Sequence, residues 1–230
     1  RCAEAAEELL TACAEGDMRA LRRLLLRPDA HGLLHRVEAR SGRAPLHLAA
    51  RHGHRGACLL LASRGVDLNV RDRCGRSPLA LACYHGQAPA VQSLLRCGAD
   101  PGLADDFGRN AFHLACLCRN PDVPLLVLQG CPEVVNTADG HGRTGLCYAL
   151  ANPRAELRPG LLRLLVWHGA DLSRTDADGR FPLTYMREGA DPENLLAPLR
   201  SLLERAEAAV EAEADAAAGA AAEAALLDAG

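Results

Sequence analysis

Gly75-Arg76-Ser77-Pro78-Leu79-Ala80-Leu81-Ala82-Cys83 is the stretch on which the fold turns, because the chain writes variants of it five times. The other copies read Gly42-Arg43-Ala44-Pro45-Leu46-His47-Leu48-Ala49-Ala50, Gly108-Arg109-Asn110-Ala111-Phe112-His113-Leu114-Ala115-Cys116, Gly142-Arg143-Thr144-Gly145-Leu146-Cys147-Tyr148-Ala149-Leu150 and Gly179-Arg180-Phe181-Pro182-Leu183-Thr184-Tyr185. Their glycines stand 33, 33, 34 and 37 residues apart. A period of that length describes stacked supersecondary units, each touching only its neighbours. Such a chain offers an extended surface rather than a closed pocket, which points to holding another macromolecule.

Within each unit the residue types explain themselves. Asp72, Asp105, Asp139 and Asp176 precede a repeat glycine by three positions, and Asp with Gly suits a tight hairpin turn. Pro45, Pro78 and Pro182 fit a first helical turn, where the missing N–H costs nothing. Runs of small residues follow, such as Ala49-Ala50 and Ala82-Cys83, letting a first helix lie close to its neighbours. Leu94-Leu95 and Leu161-Leu162 supply the packing ridge of a second helix, which Gly65, Gly98 and Gly169 end as C′ glycines.

The Pro-Leu-His helix start and the closures Gly65-Val66-Asp67, Gly98-Ala99-Asp100 and Gly169-Ala170-Asp171 resemble the ankyrin repeat, with Gly130-Cys131-Pro132 as a degenerate copy. The resemblance covers roughly residues 9–203. It implies an all-α fold with short β-hairpin turns, a solenoid of stacked helix pairs in about six units. An N-terminal cap unit spans 1–40; repeats start near 41, 72, 105 and 139; and a terminal unit spans 176–205. In the cap, Leu9, Leu21 and Leu24-Leu25-Leu26 mark the two helices, and Glu4, Glu7 and Glu8 are expected to face water. Residues 206–230 form an acidic, alanine-rich tail, expected to continue as a helix and fray near Gly219.

The family implies a protein-interaction module, a scaffold or adaptor with no enzymatic activity and no cofactor, that meets its partner along a concave face. On that face the resemblance places an arginine ladder, Arg43, Arg76, Arg109, Arg143 and Arg180, one after each repeat glycine. A guanidinium can grip a carboxylate or phosphate bidentately, so the partner is expected to bring an acidic or phosphorylated segment. The Asp of each turn is the competing local partner. Arg73, the first-helix ends Arg51-His52, Tyr84 and Leu117, and Phe107 at a hairpin tip complete the candidate contacts. An aromatic among arginines is what interface hot spots favour.

The array also departs from its own pattern. Between Gly130 and Asn136 the chain is two residues longer than its equivalent, and Asn152 to Pro159 enlarges one interhelical loop. Pro121 and Pro124 predict a shortened second helix in their unit. After Asp191-Pro192, leucines at three- and four-residue steps from Leu195 to Leu203 describe a closing stripe, while Leu226-Leu227 reads as part of a disordered end, with a small docking point as the alternative.

Composition narrows the function classes. All 26 basic residues are arginine and isoleucine is absent too, which codon bias explains more simply than function. Residues 1–205 carry 26 Arg against 23 acids, while the tail carries six acids and no base. A net charge of −3, a pI near 6.3 and 3% aromatics argue against nucleic-acid binding. No apolar run spans a membrane. The ten cysteines sit mainly at small helix positions, as reduced thiols of a cytoplasmic or nuclear protein would, with Cys74 expected to be exposed. His52-x-His54 and Cys116-x-Cys118 lack the second pair that a zinc site needs, and no phosphate loop or nucleophile elbow is present. His47 and His113 occupy a turn-securing position. The chain begins with Arg1, which suits an excerpt, so a regulatory ankyrin domain of a longer protein is the alternative to a stand-alone, monomeric adaptor.

Overall fold

A computed structural model of the chain describes residues 2–152 and 158–185. The expected closing stripe 195–203, the tail 206–230 with its leucine pair, and 153–157 of the enlarged loop lie outside the described residues.

The repeats fold as helix pairs. The cap unit holds α1 (Cys2–Glu15) and α2 (Met18–Leu25), followed by the short α3 (Ala30–Leu34). Four pairs follow: α4 (Pro45–Arg51) with α5 (Arg55–Ser63), α6 (Pro78–Tyr84) with α7 (Ala88–Arg96), α8 (Ala111–Ala115) with α9 (Asp122–Gly130), and α10 (Gly145–Ala151) with α11 (Arg158–Trp167). The first helices α1, α4, α6, α8 and α10 pack in one row, and α2, α5, α7 and α9 in a second. No strand occurs among the described residues; each hairpin is a turn closed by a cross-turn pair, such as Asp72 N–H to the Arg76 carbonyl at 3.0 Å.

Small side chains set the spacing of the first row. Ala49, Ala50, Ala82, Cys83 and Cys116 are all fully buried, so neighbouring backbones approach closely and each methyl or thiol acts as filler. One interface uses a different solution. Phe112 stands where the other repeats carry leucine, and Gly145 of the next repeat faces it; a Cβ on Gly145 would lie 2.5 Å from the Phe112 ring. The large side chain of one unit thus requires the missing side chain of the next.

The cap exposes Glu4, Glu7 and Glu8 and buries Leu9, Leu21, Leu24 and Leu25, while Leu26 remains 80% exposed. Helix α3, which sequence patterning did not single out, seats Leu33 and Leu34 against this unit.

The expected shortening of the fourth unit's second helix is corrected. Helix α9 has nine residues, as do α5 and α7; the short member is α8, with five. Pro121 is the N-cap residue of α9 and Pro124 falls within its first turn, where backbone N–H groups lack intrahelical partners in any case. The two extra residues after Gly130 are taken up by a 3-10 helix, Pro132–Asn136, which buries Val134 and Val135.

Candidate functional site

The hairpin tips form one continuous edge. The N–H of Arg73 bonds the Ser41 carbonyl at 3.0 Å, Asp106 bonds Cys74 at 3.1 Å, Gly140 bonds Phe107 at 3.0 Å, and Ala177 bonds His141 at 2.8 Å. The rungs require very close backbone approach: a Cβ on Gly108, whose φ is +76°, would lie 2.3 Å from the Gly140 nitrogen. Only glycine tolerates both the space and the angle.

Behind the tips, each Asp organises its own turn. Asp105 accepts from the N–H groups of Phe107 and Arg109 at 3.0 and 2.9 Å, and from Nε and Nη2 of Arg109 at 2.9 and 2.8 Å. Asp72 repeats the pattern with Cys74 and Arg76. Asp139 does so with His141 and Arg143, and also accepts the Tyr148 hydroxyl at 2.6 Å. Burial pushes the Asp139 carboxyl up, but the bonds from Tyr148, Arg143 and the backbone outweigh it and bring the pKa to about 2. In the last turn Asp176 accepts from the N–H groups of Asp178 and Arg180, pairs with the Arg180 guanidinium, and takes the Tyr185 hydroxyl.

Four of the five ladder arginines are therefore engaged locally, and three of those pairs are largely withdrawn from solvent, Arg180 remaining exposed. The Asp72, Asp105 and Asp139 side chains have no solvent exposure, while Arg76, Arg109 and Arg143 keep 23–30%. A carboxylate withdrawn from water to that degree needs its cation and its N–H donors. Reversing the charge of Arg76 and Arg109 is therefore expected to lower the thermal midpoint of the fold.

Arg43 is different. Its turn carries Ala39 where the others carry Asp, and it is one residue longer, closed by Glu38 N–H to the Arg43 carbonyl. Lacking a carboxylate of its own, Arg43 leans 3.7 Å from Asp72 of the next repeat, and its buried Nε has no hydrogen-bond partner.

His47 and His113 tie repeats together. The Ala44 N–H donates to Nδ1 of His47 at 3.0 Å, so the ring proton sits on Nε2 and is donated to the Arg76 carbonyl at 2.9 Å. His113 does the same with Asn110 N–H and the carbonyls of Thr137 and Arg143. Burial holds both imidazoles below their ordinary pKa of 6.5, hence neutral.

At the ends of the first helices lies a group with the opposite electrostatic character. His52 is held below its ordinary pKa by partial burial and by the charges of Arg51, His54 and Arg43. His85 is lowered in the same way, by burial and then Arg51, Arg43, His52 and Arg76. The charges shaping both imidazoles are thus all cationic. Tyr84, 48% exposed, stands edge-on to His85 with ring centroids 5.2 Å apart. Phe107, 55% exposed, carries the Arg109 guanidinium 4.8 Å from its ring centroid, a cation–π contact. Leu117 is half-buried and Arg73 is exposed at its tip, with Nη1 3.2 Å from the Arg40 carbonyl.

The structure places Arg51 and His52 at the end of α4 and Tyr84 at the end of the neighbouring α6, with Arg43 in the turn before α4. It leaves Arg109, Arg143 and Arg180 bound to their turns, and Leu117 makes no polar link to the others. A cleft beside α1 was missed by sequence reasoning. The absence of Asp at position 39 was the available signal for the special role of Arg43. Cys74 and Cys97 are exposed, and most other described cysteines are buried and free. Among the described residues no cluster suits a metal ion, and no helix is long and apolar enough to cross a membrane.

Comparison with known families agrees with this architecture. A family model described as "Ankyrin repeats (3 copies)" matches residues 9–105 and again 79–176. The chain belongs to the ankyrin repeat family, whose arrays are protein-interaction modules. No curated protein sequence matches it. Among solved structures it is similar to a chain in the complex of the Bd0816 predatory endopeptidase from Bdellovibrio bacteriovorus with immunity protein Bd3460, at a TM-score of 0.70 and 24% identity, over 86% of this chain and 97% of that one. With 534 matching chains in solved structures, likeness in shape selects no partner.

Proposed function

We propose that the chain is an adaptor that captures a partner protein along the face built by its hairpin tips and first helices, meeting anionic segments of that partner. One observation carries this. The tips are stitched into a continuous hydrogen-bonded edge, which presents Arg73, Phe107 and the helix-end residues Arg51, His52 and Tyr84 in fixed register. A preorganised surface with exposed aromatics beside cations binds without first paying to order itself. The chemistry this reading invokes is recognition, and burial holds the thiols Cys13, Cys58, Cys83 and Cys116 away from the thiolate form.

Hydrogen exchange of the chain with and without a captured partner tests the assignment. Protection is expected in residues 36–52, 73–86 and 106–117. Protection confined to α5, α7 and α9 would place the contact on the opposite row and end it.

A further inference from the structure

At the cap end of the same face an open cleft of about 560 Å³ lies between α1, the segment 36–39 and α4. Its volume is within the range of sites that enclose a ligand. Leu10, Val37 and Leu48 line it together with Arg36, Arg51 and His52. Val37 is 50% exposed, an apolar side chain with protein on one side only.

Charge is distributed unevenly around this cleft. Glu7 and Glu38 lie among its lining residues, and Glu38 is occupied with the Ser41 hydroxyl. The Arg51 guanidinium makes no hydrogen bond or ion pair among the described residues. Arg51 also belongs to the group already described, where burial and the charges of Arg51, Arg43, His52 and Arg76 act on His85. In that group Asp72 is one carboxylate shared by two arginines, at 3.7 Å from Arg43 and 2.9 Å from Arg76. The Arg51 side is therefore short of negative charge, while the Glu7 side is not.

We propose that this cleft and the adjoining helix ends form a subsite for an acidic peptide segment of the partner, with an apolar side chain in the cleft against Val37, Leu10 and Leu48 and the carboxylates directed along Arg51 and Arg43 toward Tyr84. The inference rests on the interaction face and anionic partner proposed above and adds the subsite, the apolar anchor and the direction of the segment. A carboxylate at Arg51 satisfies a guanidinium that the fold leaves open, and the glutamates at the other rim disfavour the reverse orientation.

A displayed library of random twelve-residue peptides, selected on the full chain, is the test. Enriched peptides are expected to place Asp or Glu within a few positions of a Leu, Ile, Met, Val or Phe. Their affinity should fall at least tenfold on Arg51→Glu and severalfold on Tyr84→Ala, with the thermal midpoint of both variants unchanged. Enriched peptides without acidic excess, peptides indifferent to Arg51→Glu, or no enrichment at all would overturn the subsite. Selected peptides that crosslink instead to the hairpins at Phe107 or His141 would overturn it while leaving the interaction face intact; crosslinks only to α5, α7 or α9 would remove both.

Discussion

The arginines that recur along this molecule and the single Arg51 do opposite work. Those after the repeat glycines belong to turns: Arg76, Arg109 and Arg143 each close on a carboxylate that has lost all contact with water. Arg51 stands one helix away, at a position where other units carry Tyr84, Leu117 and Ala151 or their neighbours, and its field falls on histidines rather than on acids. The arginine that recurs is tied, in four of its five copies, to the turn that recurs with it. The residue that occurs once is left for something outside the fold. Periodicity therefore marks scaffold, and departure from it marks candidate specificity.

The largest expected effect separates the two sets directly. Asp105→Ala removes four hydrogen bonds at once and strands the Arg109 guanidinium. Breaking a buried pair of this kind costs about 3–5 kcal/mol, to be read from urea unfolding. A loss below about 1 kcal/mol would mean that the turns do not depend on their carboxylates, and the contrast with Arg51 would disappear.

A smaller effect tests whether the same logic holds away from charge. Gly145→Ala should destabilise by about 1–3 kcal/mol through overpacking, because its methyl meets the Phe112 ring. Adding Phe112→Leu should return much of that loss. The double-mutant cycle checks this: simple additivity of the two changes would show that the side chains are not coupled.

The mildest and broadest effect comes from pH. His47 and His113 have folded pKa values below 6.5 because burial disfavours their charged form. The unfolded chain consequently takes up protons first on acidification. Stability is full above 6.5 and declines as pH falls through that value toward the lower folded ones. A second decline belongs to Asp139, whose carboxyl is ordinary at 3.8 in the unfolded chain and about 2 in the folded one, so its contribution is lost between those values. Denaturant midpoints measured from pH 8 to pH 2 should fall in these two stages. A flat profile between pH 7 and 5 would deny the histidines their buried, neutral role.

Much of the scaffold is legible in the sequence because it rests on local rules repeated many times. The glycine spacing, the Asp of the turns and the Ala or Cys of the first helices all keep one period. The pairing of each ladder arginine was legible as an alternative, since an Asp stands four residues before it in four of the five copies. How deeply that Asp is buried was not, because burial depends on the neighbouring hairpin stacked over it. Helix α3 escaped notice because a five-residue helix has too few turns to show a period. The length of α9 was misjudged because prolines break helices only beyond the first turn, and both fell before that point. The cleft by Val37 arises from side chains on three separate segments, a juxtaposition no spacing rule encodes.

The fit of Phe112 against Gly145 has a consequence for how such an array can change over generations. Repeats with interchangeable faces can be duplicated, deleted or reordered, since any copy accepts any other. Here the fourth unit accepts only a successor that begins without a side chain, and a glycine-starting unit set behind a leucine would leave a hole. The order of these two modules is written into their shapes, so the array can lengthen or shorten at other joints far more easily than at this one.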